Sequence, residues 1–257
     1  MVINKKHLMT GLAAVFTAAE VLLFILIHIA RVDYNYTLRY TSIIVATVFA
    51  WMTLVIELIM VKSENKNPRD ILLNTTNGNF IRIAMIFTLI ADYFMVAMEE
   101  ANNLAGVTVF LGTQLFIFLH IFVNDKDKKL RRINLIVRLA LMVVLVAVAC
   151  IILGESTDPM SIISVIYYAN LCTNAIFAHR LKHGGILLTV GLILFALCDI
   201  NVGLTALDTI YGGFKEGSLL YNLMNTNVDL IWLFYIPSQT LIPMTLVISE
   251  KKENKLD

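Results

Sequence analysis

Long apolar runs recur eight times along this chain, at 8–30, 40–61, 80–98, 104–123, 131–153, 161–179, 186–207 and 228–248. Each is long enough to cross the hydrocarbon layer of a bilayer, which takes about 20 helical residues. Half-buried strands would alternate polar and apolar positions, and these runs do not. Only helices and closed barrels satisfy their own backbone in lipid. The pattern predicts an all-α membrane protein, a single domain over residues 1–257 built as a bundle of eight transmembrane helices. The segment MVINKKH before the first run has the look of a secretory leader. The run is too long for one and no small-residue cleavage site follows, so it is read as an uncleaved first span.

Lys and Arg set the direction of the bundle. One set of loops, with the chain ends, carries seventeen of them; the alternate set carries Arg31, Arg39 and Lys215. The cytoplasmic side retains the positive charges, so both termini are expected in the cytoplasm. The loop NDKDKKLRR at 124–132 is the most basic; it reads as a topology signal or, alternatively, as a contact with anionic membrane lipids. The loop 208–227 is the longest on the other side; Gly212 and Gly213 suggest a turn there and KEGSLLYNLM a short interfacial helix.

Composition agrees with a membrane protein. The chain is 58% hydrophobic and 15% charged, where a soluble domain carries about 25% charged residues. A net charge of +1 offers no pull towards nucleic acid, and none is expected as a partner. Cys150, Cys172 and Cys198 each sit inside an apolar run with no CxxC or Cys/His spacing, which argues against a disulfide frame or a zinc site. No metal or cofactor is expected. The sequence places the protein as a multi-pass integral membrane protein, in the plasma membrane if bacterial and the endoplasmic reticulum if eukaryotic.

Ionisable groups inside spans are costly and usually face the bundle interior. They are Glu20, Glu57, Asp92, His120 and Asp199, with Gln114, Asn170, Asn174, Asn201, Tyr235 and Gln239 as uncharged companions. Asp92 is six residues from the outer end of its span, Asp199 eight, and Tyr235 seven into the last one. At about 1.5 Å per residue all three lie roughly 9–12 Å inside the outer boundary. Gln239 is a turn deeper and Asn170 is close to the layer, with Asn174 on the same face as Asn170. Convergence of these groups on one pocket is the economical expectation, because buried polar groups must find partners. Glu20 is placed in the interior, Glu57 and His120 near cytoplasmic ends, and Glu99 and Glu100 at an outer boundary.

The polar residues sit in patterned contexts that resemble the YhhN family, the membrane lysoplasmalogenases. FTLIADYFMV presents Thr88, Ala91 and Asp92; FLGTQLFIFLH presents Gly112, Phe116 and His120; GLILFALCD presents Gly191, Phe195, Cys198 and Asp199; YIPSQ presents Tyr235 and Gln239. Three positions depart from the family pattern: Ala91 stands for glycine, Cys198 for serine and Val123 for a tyrosine. The resemblance implies a hydrolase that cleaves the vinyl ether of a lysophospholipid to a fatty aldehyde and a glycerophospho-head group. Such an ether hydrolyses by protonation at its β-carbon, followed by attack of water on the oxocarbenium ion. That chemistry needs one proton donor and one group that steadies the cation and aims water, the arrangement of paired carboxyls in glycosidases. Asp92 and Asp199 are the expected catalytic pair. Tyr235, Gln239, Asn170, Asn174, His120 and Glu20 are candidates for binding or orienting the substrate. A proton-coupled transporter or small-molecule channel is the competing reading. LIAD at 89–92 and ALCD at 196–199 lie four spans apart, each followed by a span with a glutamine, which hints at an internal repeat.

Overall fold

The computed structural model describes residues 5–28, 36–63, 69, 78–98, 100–226 and 228–249. Eight helices among them are long and apolar enough to cross a membrane. They are α1 (Lys5–His28), α2 (Tyr36–Ser63), α3 (Asn79–Asp92, whose span a π-helical turn carries on to Ala97), α4 (Asn103–Asn124), α5 (Lys128–Leu153), α6 (Pro159–Ala178), α7 (Gly185–Tyr211) and α8 (Leu230–Ser249). No strand occurs among the described residues. A short helix, Leu219–Met224, lies in the loop before α8, where the sequence suggested one. Glu99 lies outside the described residues.

Polar caps at the loop boundaries stop and start the helices. Asn102 opens α4 by accepting from the Ala105 amide at 3.0 Å. Asp127 opens α5 by accepting from Lys129 at 2.9 Å. Asp158 opens α6, accepting from the Ser161 amide at 2.7 Å, with Pro159 in the first turn. These bonds satisfy amides that the helix cannot. The Ser161 bonds also hold the exposed Asp158 carboxyl below its ordinary pKa. Gly184 opens α7 and Gly212 closes it, both with positive φ, a conformation a side chain resists.

Helices α2, α3, α4, α6, α7 and α8 close into a ring in that order, with α8 returning to α2. Outside it, α1 packs on α2 and α8, and α5 packs on α6. The packing repeats after four helices: each half has an outlying first helix and a close final pair, α3 with α4 and α7 with α8. Asp92 and Asp199 occupy corresponding helices of the halves, as do Gln114 and Gln239.

Two glycines from the resemblance motifs set the close approach within those pairs. A Cβ on Gly112 would lie 2.4 Å from the Phe87 ring, and one on Gly191 3.0 Å from Ile242. Small residues let membrane helices gain dispersion contact without a hydrophobic driving force.

Two arginines counted with the basic loops lie inside the bundle instead. Arg82, on the first turn of α3, is buried and forms an ion pair with Glu57 of α2 at 2.5 Å. It also donates to Thr53 at 3.0 Å and Asn79 at 2.7 Å. Glu57 neutralises a buried guanidinium. Arg138 is the second, ten residues into α5. Removing both from the loop count leaves the bias between the two ends intact. The end where α3, α5 and α7 begin is the basic end, and the opposite end is the sparse end.

Candidate active site

Asp92 is the last α-helical residue of α3, and the chain continues as a π-helical turn, Tyr93–Ala97. Such turns insert an extra residue and re-aim side chains, and they recur at functional sites. The Asp92 carboxyl is buried and accepts a hydrogen bond from the Tyr235 hydroxyl of α8. The bond crosses the ring of helices.

Asp199 sits mid-way along α7, partly exposed, and its carboxyl accepts from the Tyr167 hydroxyl of α6 at 2.5 Å. Phe195, one turn below Asp199, separates the two tyrosines. Its ring centroid is 5.4 Å from Tyr235 and 6.4 Å from Tyr167, both edge-on. Phe110 of α4 closes the cluster at 5.6 Å from Phe195 and 5.8 Å from Tyr167. Edge-to-face packing fixes ring orientation as well as position. Each aspartate thus has its own phenol, and the two phenols share one aromatic wall. Cys198, next to Asp199 in sequence, is buried.

The remaining candidates divide between other places. Asn170 and Asn174 do not meet the aspartates. Their side-chain oxygens accept from Arg138, the Asn174 bond measuring 2.7 Å. Asn174 also donates to the Gln114 side-chain oxygen of α4 at 3.0 Å. The expected single layer is therefore two, stacked along one face of α6 at Tyr167, Asn170 and Asn174. Depth alone put Asn170 in the aspartate layer; the presence of a guanidinium decides its direction. Gln239 is fully buried, one turn below Tyr235, and neither atom of its amide has a partner among the described residues. Asn201 bonds back to Leu197 of its own helix at 2.7 Å. His120 lies towards the basic end, with the Asn124 amide 3.5 Å from its ring. Glu20 is buried between α1 and α2, accepting from Ser42 at 2.6 Å. Neither His120 nor Glu20 has a bond to the aspartate cluster.

Tyr167 and Arg138 were not singled out from the sequence as site residues. Tyr167 is i−3 from Asn170 and i−7 from Asn174, so a polar stripe down one face of α6 was its signal.

The family model of the YhhN family matches residues 34–246, most of the chain. The chain belongs to the YhhN family. No curated protein and no solved structure matches it. The match covers every residue of the two tyrosine–aspartate pairs. In this YhhN-family chain, the motif residues serve two physical ends. Gly112, Gly191 and Phe116 pack helices, Phe116 against Phe87 at 5.1 Å. Asp92, Phe195, Asp199 and Tyr235 gather around one aromatic wall, and Cys198, next to Asp199 in sequence, is buried.

Proposed function

We propose that this membrane protein is a lysoplasmalogenase, a hydrolase that cleaves the vinyl ether of a lysophospholipid by acid–base action of Asp92 and Asp199. The observation that carries the reading is the pairing itself: two intramembrane carboxyls, each held by a tyrosine hydroxyl, with both phenols packed edge-on against the same Phe195 ring. Membership of the YhhN family supports this reading, because the motif resemblance implies vinyl ether hydrolysis, and that reaction needs two acid–base groups of this kind.

Asp92 is the more enclosed of the pair and is assigned the proton transfer to the β-carbon. Asp199 is the less enclosed of the pair and is assigned the stabilisation of the oxocarbenium ion and the aiming of water at the α-carbon. The resulting hemiacetal collapses to a fatty aldehyde and a free glycerol hydroxyl. The tyrosines hold the carboxyls in place, and the unpartnered amide of Gln239 is available to orient water or the glycerol. Proton transfer by a positioned side chain contributes about 10²–10⁴-fold to a rate.

The repeated packing of the two halves favours a second reading, a proton-coupled transporter with the same acids as its relay. One assay separates them. Purified protein in detergent is given lysoplasmalogen, lysoacyl and alkyl-ether lysolipids, and products are followed by mass spectrometry. Aldehyde released from the vinyl ether alone supports the hydrolase. No cleavage of any lipid, with proton-coupled uptake in proteoliposomes, supports the transporter.

A further inference from the structure

We infer that Arg138 forms a phosphate-binding subsite at the far end of the polar seam that begins at the aspartates. The choice of a lipid head group as the phosphate's source rests on the proposed lysophospholipid substrate; the subsite itself does not.

Arg138 is buried inside a spanning helix, and its guanidinium lies over the Phe118 ring, 4.3 Å from the centroid. Its contrast with Arg82 is informative. Arg82 has a carboxylate at 2.5 Å. Among the described residues Arg138 has none within ion-pair distance. Its partners are the neutral amide oxygens of Asn134, Asn170 and Asn174. Amide oxygens satisfy N–H groups but leave the charge uncompensated, and buried charge is ordinarily paired.

The hydrogen-bonding capacity left over at this end of the seam consists of donors. Arg138 Nε is buried with no partner among the described residues, and so is the Nε2 of fully buried Gln114, whose own oxygen is taken by Asn174. Two unpartnered donors beside an uncompensated positive charge call for an anion with several acceptor oxygens. Phosphate fits that description, and guanidinium is the side chain best matched to it.

The spacing fits one ligand spanning both layers. Asn170 and Asn174 are three and seven residues along α6 from Tyr167, which holds Asp199. At about 1.5 Å per residue the Arg138 layer lies roughly 4–10 Å from the aspartate layer, towards the basic end. A glycerol backbone bridges a gap of that order. The head group of the substrate then points towards the basic end while its vinyl ether meets the carboxyls.

The test measures binding and so does not depend on turnover. Full-length protein in detergent is titrated with sn-glycero-3-phosphoethanolamine and, separately, with inorganic phosphate, and the unfolding temperature is followed. Wild type is compared with Arg138→Gln, Arg138→Lys and Arg180→Gln, the last removing a charge from the exposed pair with Asp125. The expected result is stabilisation of wild type and of Arg180→Gln by the head group, with apparent affinity about ten- to a hundredfold weaker in Arg138→Gln, the worth of a charge-assisted hydrogen bond. Inorganic phosphate is expected to bind more weakly, because it lacks the glycerol. Tighter binding of inorganic phosphate overturns the lipid source. Absence of stabilisation of wild type by either ligand overturns the subsite. Should Arg138→Gln fail to fold, Arg138→Lys decides: it retains the charge without the guanidinium fork, and wild-type affinity in it overturns the proposal. Head-group binding without aldehyde release would count against the reaction and leave the subsite standing.

Discussion

The Tyr235 hydroxyl donates to the Asp92 carboxyl across 143 residues of sequence, joining α8 to the end of α3 where the helix becomes a π-turn. Tyr167 repeats the relationship with Asp199 at a separation of 32 residues. In each pair a phenol holds a carboxyl that a membrane helix would otherwise not tolerate.

Removing either hydroxyl keeps the ring and its packing. Tyr235→Phe and Tyr167→Phe should therefore fold and insert as wild type does. A hydrogen bond of this kind is worth about 1.5–3 kcal/mol, so each variant should lose roughly ten- to a hundredfold in kcat. Aldehyde release under saturating lysoplasmalogen measures it. The loss should be smaller in KM, since the tyrosines act on the carboxyls and not on the lipid.

Arg82 and Glu57 form a structural pair, away from the aspartates. Breaking a buried pair by removing one partner costs about 3–5 kcal/mol, because the other charge is left behind. Glu57→Gln should lower the unfolding temperature in detergent sharply. The double variant Glu57→Gln/Arg82→Met should be less destabilised than the sum of the single ones. Strict additivity would mean that the two side chains are not coupled.

The two helix-pairing glycines should differ in sensitivity. At Gly112 the new methyl falls 2.4 Å from the body of the Phe87 ring, whereas at Gly191 the nearest atom is 3.0 Å away, on the more adaptable Ile242. Overpacking costs typically about 1–3 kcal/mol. Gly112→Ala should lie at the upper end and Gly191→Ala at the lower, read from unfolding temperatures.

Orientation is open to a direct check. Even without Arg82 and Arg138, the basic end retains the large excess of Lys and Arg. A fluorescent reporter fused to the C-terminus should therefore fold in the cytoplasm, and a reporter active only on the outer side should work when inserted near Gly213. The reverse pattern would invert the assignment of ends.

Much of this was legible from hydropathy. Each expected span has its helix within a few residues, because a bilayer imposes length and apolarity on every crossing. The aspartates stood out for the same reason. Tyr167 did not, because its only mark was its place on the α6 face that carries Asn170 and Asn174. Arg138 was masked by the basic turns before it, KKLRR, which made it look like part of the loop. Asn170 and Asn174 then lacked their true partner and were assigned by depth to the aspartates. The π-turn after Asp92 depends on packing between helices and leaves no mark in the local sequence.

In the proposed reaction Asp92 and Asp199 act together on a vinyl ether. That joint action is tested most directly by aldehyde release from lysoplasmalogen by purified wild type, Asp92→Asn and Asp199→Asn, each first shown to be folded by its unfolding temperature. Wild type should release aldehyde, and each variant should lose about 10²-fold or more, the scale of acid–base catalysis. Wild-type rates in either folded variant would contradict it.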